Sequence, residues 1–192
     1  MKGQRMKLPK IVVASLCLMA LTAAPALAEN AAFGVEAGVT ASRFSPNNPG
    51  ESISLNPGAL VGIFAVVPIL KSVSFMPELV YVQKYAARSG TTLGSAKIEY
   101  VEVPLLAKMP FLWGTYFAEG IALGFPVNAR GFAQNLSQTT SPDVSVVIGG
   151  GKDIGKFAIE FRYDGGVRQV STRTNDSVQR TRSFMLFVRL HL

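Results

Sequence analysis

The chain ends on the ten residues SFMLFVRLHL, numbered 183 to 192, and this stretch alternates strictly between two kinds of side chain. Every second position is apolar, and these positions are Phe184, Leu186, Val188, Leu190 and Leu192. Arg189 and His191 lie between them. A period of two predicts a β-strand with one apolar and one polar face. Because chain ends usually fray, a terminal strand this regular indicates that the last residues are needed for the fold.

Seven earlier segments alternate in the same way. They cover residues 32–44, 58–69, 73–86, 97–108, 115–127, 143–152 and 156–168. Long, polar, turn-rich connections follow the first, third, fifth and seventh segments, and shorter links follow the second, fourth and sixth. An even number of strands with long and short connections at opposite ends is typical of an outer-membrane barrel. The sequence therefore predicts an all-β fold, an eight-stranded antiparallel up-and-down transmembrane β-barrel.

The first 28 residues have the composition of a cleavable signal peptide. Four Lys and Arg residues flank the start of the apolar run IVVASLCLMALTAA, and the small-x-small sequence ALA follows at 26–28. This order predicts a signal peptide over residues 1–28 and a barrel domain over residues 29–192. Cleavage would remove Cys17, the single cysteine, and lower the formal net charge from +7 to +3 by taking four of the 19 basic residues and none of the 12 acids. The smaller charge argues against a nucleic-acid partner.

Charged side chains occur on the polar face of the predicted strands. Four acids and four bases share this face: Glu36, Glu78, Glu102, Glu160, Lys84, Lys108, Arg162 and Arg189. Acids and bases mixed on one wall suit an enclosed lumen in which each charge finds a partner, because unpaired buried charges are costly. Eight strands enclose a lumen only wide enough for side chains. We therefore expect a structural charge network that fills the lumen, and no wide pore.

A soluble barrel is the alternative interpretation of the same alternation. A periplasmic or secreted lipocalin-like barrel would turn the apolar face inward and bind a small apolar ligand there. The polar face carries only one or two charges per strand, which is sparse for a solvated surface and favours the membrane barrel. Glu119 does not fit the pattern, since it shares the parity of Phe117 and Ile121. Either a β-bulge resets the register there, or Glu119 lies near the membrane interface.

Parts of the chain resemble a known family. The segments PELVYVQKY (77–85) and IEYVEVPLLAK (98–108) resemble the paired strand motif of the PorT-like outer-membrane β-barrel family, and VVIGGGKDI (146–154) and IEFRYDGGV (159–167) resemble its later strands. The resemblance covers about residues 33–192 and implies an eight-stranded barrel of the OmpA/OmpX type. It implies little about activity, although a few members are tied to protein secretion. Tyr85 and the terminal Leu192 depart from the family's usual Gly and Phe.

Two motifs suggest chemistry. GGKDIGKF (150–157) matches the G-x-x-x-x-G-K pattern, but Phe157 stands where a phosphate loop needs Ser or Thr, so we interpret it as a turn. His191, the only histidine, could serve a lipid-modifying barrel enzyme, which is the third functional hypothesis. Glu160 and Arg162 could act as a catalytic carboxylate and an anion clamp, but an ion pair is the simpler interpretation. We therefore predict no enzyme, no cofactor and no metal.

The expected location is the outer membrane of a Gram-negative bacterium. There the protein would have a structural or interaction role, with protein secretion or envelope integrity as candidate processes. The C-terminal assembly strand, with its five apolar residues from Phe184 to Leu192, would engage the barrel-assembly machinery during insertion. The expected partners are outer-membrane lipid and, at the external loops, lipopolysaccharide or a protein. Six loop arginines could form a basic rim that attracts phosphate, although ordinary solvated loops are the simpler interpretation: Arg88, Arg130, Arg168, Arg173, Arg180 and Arg182.

Overall fold

The computed structural model describes residues 31–44, 53–54, 56–88, 96–130, 143–167 and 181–192. The predicted signal peptide, residues 1–28, lies outside these ranges, as do most residues of the long connections. The described residues from 32 to 192 belong to one compact unit of the chain.

Eight long strands follow one another along the chain, and each begins and ends within three residues of its predicted bounds. They are β1 (Ala32–Phe44), β3 (Asn56–Leu70), β4 (Val73–Arg88), β5 (Ala96–Pro110), β6 (Thr115–Arg130), β7 (Asp143–Ile154), β8 (Phe157–Gly166) and β9 (Thr181–His191). A two-residue strand, β2 (Ile53–Ser54), pairs with β4 and has no counterpart among the predicted segments.

The eight long strands close into a barrel. Each pairs antiparallel with the long strand before it and the one after it, from β3–β4 through to β8–β9. The circle is completed by β1, which pairs with β3 on one side and with β9 on the other. The β1–β9 register runs without interruption from Gly34↔His191 to Phe44↔Thr181. The predicted all-β, eight-stranded antiparallel up-and-down barrel is confirmed.

Side chains alternate between the exterior and the interior of this barrel. Large apolar side chains are exposed on the outer face of the strands, among them Val39, Ile63, Ile148, Phe161 and Val188. Among the described residues, the interior holds nine buried charged side chains together with buried apolar ones. A soluble ligand-binding barrel has the reverse arrangement, with its large apolar side chains inside and its charged side chains on the solvated exterior. The observed distribution therefore argues against the soluble alternative.

Short turns join the strands at one end of the barrel. Lys71 and Ser72 link β3 to β4, and Gly155 and Lys156 link β7 to β8, with Gly155 at a φ of 62°. A single 3-10 turn over Leu112–Gly114 links β5 to β6. Outer-membrane barrels have their short turns on the periplasmic side, so we refer to this end as the periplasmic end. In the described part of the chain, no helix is long and apolar enough to cross a membrane.

Glu119 lies on the exterior of β6, as its parity predicts. The pairing is continuous there, with Ala107 of β5 on one side and Ile148 of β7 on the other. Register shifts occur instead between Pro68 and Leu70 and between Glu99 and Tyr100. A bulge at Glu119 was therefore the wrong explanation. The carboxylate lies four residues from the periplasmic end of the strand, on an otherwise apolar wall.

Deletion of the last three residues, 190–192, should prevent assembly of the barrel in the membrane. The deletion removes the Val35↔Leu190 pairing and the hydrogen bonds His191 N to Lys156 O (2.8 Å) and Leu192 N to Phe33 O (2.9 Å). Backbone groups left unpaired in a hydrocarbon phase cost several kcal/mol each. Resistance to urea extraction from outer-membrane fractions measures the outcome, and Leu192→Phe serves as the matched control that should assemble. Normal insertion of the truncated chain would contradict closure of the barrel by β9.

Candidate functional site

The barrel interior holds most of the ionisable side chains that the structure describes. The eight charged residues predicted for the lumen all point inward, and they divide into three groups along the barrel. Five of them form one layer, which we call the arginine layer: Glu36, Glu78, Glu160, Arg162 and Arg189. Lys84 and Glu102 form a second group nearer the long connections. Lys108 lies in a third group at the periplasmic end.

Arg162 is central to the arginine layer because it contacts carboxylates on two different strands. Its Nη1 and Nη2 donate to Oε2 and Oε1 of Glu78 at 2.8 and 3.0 Å. Its Nε and Nη2 both donate to Oε1 of Glu160, at 2.9 and 2.5 Å. A planar guanidinium has five N–H donors in a fixed fork, and this geometry suits two carboxylates held at a fixed angle. Arg162 thus ties β8 to β4 across the lumen.

Arg189 links a further strand to the same carboxylates. Its Nε donates to Oε2 of Glu36 at 2.9 Å, its Nη1 to Oε2 of Glu160 at 2.7 Å, and its Nη2 to Oε1 of Glu78. The side chains of the arginine layer are between 0% and 4% exposed. The layer is therefore shielded from bulk water, and its charges pair mainly with one another.

Aromatic groups complete the surroundings of the two guanidinium groups. The Phe187 ring centroid lies 4.4 Å from Cζ of Arg162 and 5.4 Å from Cζ of Arg189. Phe64 presents its ring to Arg189 at 5.1 Å. The hydroxyl of Tyr116 donates to Oε2 of Glu160 at 2.8 Å. Cation–π contacts of this kind strengthen when water is absent, so the aromatic rings and the carboxylates stabilise the same buried cations.

The arginine layer contains three carboxylates and only two guanidinium groups. Glu36 differs from the other two carboxylates, because its Oε1 has no hydrogen-bond partner among the described residues. Gly62 lies beside this oxygen, and a Cβ added there would approach Oε1 to 2.9 Å. The absence of a side chain at Gly62 therefore makes room for Glu36. Of the three acids, Glu36 is the one whose charge the layer compensates least.

Lys84 forms a separate cluster in the half of the barrel nearer the long connections. Its Nζ lies 2.6 Å from Oε1 of Glu102 and 2.9 Å from Oδ2 of Asp164. The Tyr100 ring centroid lies 5.4 Å from the same nitrogen. All four side chains are buried. This cluster joins β4, β5 and β8, and its ion pairs are separate from those of the arginine layer.

Lys108 pairs with Asp153 at the periplasmic end of the lumen. Its Nζ lies 3.0 and 2.8 Å from the two carboxylate oxygens and 3.9 Å from the Tyr116 ring centroid. His191 is close by, with Nε2 3.8 Å from Oδ1 of Asp153 and its ring edge-on to Phe64 at 5.2 Å. This group is partly exposed, so its ion pair is screened by water more than those of the arginine layer.

Three polar partners were missed as site residues by the sequence analysis: Asp164, Tyr116 and Asp153. Each has the parity of the interior face of its strand, so alternation alone could have placed it in the lumen. Which charge meets which across the lumen could not be inferred, because the cross-lumen contacts depend on the stagger of all eight strands. Among the residues that the structure describes, no three His, Cys, Asp or Glu side chains are grouped so as to hold a metal ion.

Arg162→Met should destabilise the folded barrel by about 3–5 kcal/mol, because it leaves Glu78 and Glu160 buried without one of their partners. Urea unfolding of the protein refolded in lipid vesicles measures the change. Lys108→Met is the matched control and should cost about 1 kcal/mol or less, since its ion pair with the 39%-exposed Asp153 side chain is partly hydrated. Equal costs for the two variants would show that burial does not govern the energetics of these pairs.

Glu36→Gln should be much better tolerated than Glu78→Gln. The first change removes the excess negative charge of the layer and loses one charged hydrogen bond. The second affects a carboxylate that accepts from both arginines. We expect Glu36→Gln to stay within about 1 kcal/mol of the parent protein and Glu78→Gln to lose at least twice as much. The same urea titration in lipid vesicles measures both losses of stability. A larger loss for Glu36→Gln than for Glu78→Gln would contradict the inference that Glu36 carries the excess charge of the layer.

Comparisons with known proteins agree with this architecture. Residues 23–171 match the family model described as outer membrane protein beta-barrel domain. The crystal structure of Neisserial surface protein A is similar, with a TM-score of 0.55 and 14% identity over 85% of this chain and 100% of that chain. Ail of Yersinia pestis gives a TM-score of 0.48 and 12% identity over 85% and 99% of the two chains.

OprG of Pseudomonas aeruginosa gives a TM-score of 0.48 and 11% identity over 84% and 91%. At these identities the likeness to the Neisserial protein is one of fold. No curated protein sequence matches the chain. Because the family model covers most of the sequence, the chain belongs to the outer membrane protein beta-barrel domain family and is an integral protein of the bacterial outer membrane.

Proposed function

We propose that this outer-membrane protein acts as a rigid scaffold that presents its long connections to partners and does not conduct solutes. One observation carries the proposal, namely the burial of the arginine layer. Arg162 and Arg189 extend across the lumen and are only 2% and 1% exposed. Eight strands leave an interior that side chains fill, and here the filling groups are held in place by ion pairs from four strands.

Apolar side chains occupy the lumen on both sides of this layer. Toward the long connections, Phe187 and Met185 pack with residues of β3, β4 and β5. Toward the periplasmic end, Met76, Leu106 and Tyr116 pack with small residues of β6, β7 and β8. A solute would have to displace these groups as well as break the buried ion pairs. This packing supports a role that depends on the surface of the barrel and not on its interior.

The interaction surface that we propose is the set of long connections. Most of the arginines expected to form a basic rim lie outside the described residues or have side chains that are not described: Arg88, Arg130, Arg168, Arg173 and Arg180. Arg182 is described and is exposed beside the start of β9. Charge complementarity supports lipopolysaccharide phosphate, or a protein with an acidic surface, as the external partner.

The finer assignment to the PorT-like subgroup, with a role in protein secretion or envelope integrity, is also a proposal. It is supported by the two quoted motifs, PELVYVQKY and IEYVEVPLLAK, which lie on the adjacent strands β4 and β5 and pair at Val80↔Glu102. Interaction of the C-terminal strand with the barrel-assembly machinery is supported by the position of β9, whose partner β1 is the most distant strand in sequence.

We propose further that the protein is not an enzyme. His191 is the residue on which a lipid-modifying activity would depend. The described contacts of the His191 side chain are with Asp153 and the Phe64 ring. His191 lies at the periplasmic end of the barrel. Glu160 and Arg162 pair with each other, and each has a second buried partner, Arg189 for Glu160 and Glu78 for Arg162. These surroundings support structural roles for all three residues.

Vesicles that contain the protein should remain impermeable to small sugars. Swelling of proteoliposomes in isotonic sugar solution measures this, with a general porin as the positive control. Arg189→Ala should raise ion conductance because it removes a side chain that crosses the lumen, whereas the exterior variant Val188→Ala should not. If Arg189→Ala fails to fold, Phe187→Ala provides the same test. Rapid sugar entry through the parent protein would overturn the scaffold proposal.

A further inference from the structure

The turn between β5 and β6 is the most apolar of the three short turns. Phe111, Leu112 and Trp113 are 61%, 56% and 86% exposed, and Trp113 is the only tryptophan of the chain. The turn between β3 and β4 has Lys71 and Ser72 at the corresponding place, and the turn between β7 and β8 has Gly155 and Lys156. The three turns therefore lie at the same end of the barrel but differ in chemistry.

The backbone of this turn holds the indole away from the barrel. Trp113 has φ 57° and ψ 36°, the left-handed conformation that is uncommon for a bulky residue. Phe111 N donates to Thr115 O at 2.7 Å, and the Thr115 hydroxyl donates to Leu112 O at 2.6 Å. Gly114 rests against β7, where an added Cβ would approach Asp153 O to 3.2 Å. The exposed position of Trp113 is thus fixed by hydrogen bonds and packing of the turn.

The turn continues the lipid-facing wall of the barrel. The Phe111 ring contacts the Phe117 ring edge-on, with centroids 5.6 Å apart, and Phe117 is exposed on the outer face of β6. Lys152 is exposed on the outer face of β7, directly opposite Thr115 in the strand register. The turn that carries Trp113 therefore lies next to the end of β7 that carries Lys152, at the level where the apolar wall ends.

We propose that Trp113 and Lys152 form a binding site for the phosphate-bearing headgroup of a phospholipid in the periplasmic leaflet. The indole would lie at the boundary between acyl chains and headgroups, where tryptophan is enriched because one part of the ring system is apolar and its N–H is polar. The ammonium group of Lys152 would attract the lipid phosphate. Continuity with the lipid-facing wall at Phe117 favours a lipid over a periplasmic protein as the occupant.

The single tryptophan makes the site directly observable. The protein is purified from outer membranes and reconstituted into phosphatidylcholine vesicles that contain a minor fraction of phosphatidylglycerol. We expect blue-shifted Trp113 emission, strong quenching by lipids brominated near the headgroup and weak quenching by aqueous acrylamide. In a second experiment only the anionic lipid carries bromine, and the quenching should exceed the level that its mole fraction predicts. One basic side chain near the surface should enrich this lipid around the site roughly five-fold.

Two variants separate the site from general attraction to the membrane. Lys152→Gln should reduce the quenching to the level expected from the mole fraction, while Lys71→Gln, on another turn of the same end, should leave it unchanged. Water-like emission with efficient acrylamide quenching would overturn the proposal and would indicate that the turn faces the periplasm, where a protein could dock. Enrichment that persists in Lys152→Gln would equally overturn the assignment of phosphate binding to Lys152.

Discussion

Backbone hydrogen bonding in a phase without water is the constraint on which the rest of this structure depends. A strand that crosses lipid cannot leave its N–H and C=O groups unpaired, and only a closed sheet satisfies all of them. In this chain the first and last long strands, β1 and β9, provide the closure through a continuous antiparallel register. The regular alternation at the C-terminus follows from this requirement, because its apolar face meets lipid while its backbone completes the circle.

Closure with eight strands in turn determines the character of the interior. The lumen is too narrow for bulk water, so polar side chains inside it must pair with one another. The arginine layer meets this condition with two guanidinium groups that bind carboxylates of β1, β4 and β8. Buried ion pairs of this kind seldom add much net stability relative to apolar packing, but they are costly to break singly.

The sequence was sufficient to predict the strands and their faces, because a period of two is imposed by backbone geometry and is visible in segments such as 183–192. It was insufficient for contacts across the lumen. The pairing of Arg162 with Glu78, and of Lys84 with Asp164, joins strands that are not neighbours and depends on tilt and stagger. Parity placed Glu119 on the outer wall but could not choose between a bulge and a regular strand. The left-handed Trp113 was also beyond sequence patterns, since nothing in the residue type favours that conformation.

The sequence distance between the partners in the arginine layer has a consequence for the order of assembly. Glu36 and Arg189 are 153 residues apart, and Glu78 and Arg189 are 111 residues apart. Contacts between such distant residues close a long loop of chain, and the entropic cost of that closure must be met before the contacts contribute. Until β9 pairs with β1, Glu36 lacks the guanidinium group that compensates it. Closing the sheet and compensating this carboxylate are therefore one and the same step.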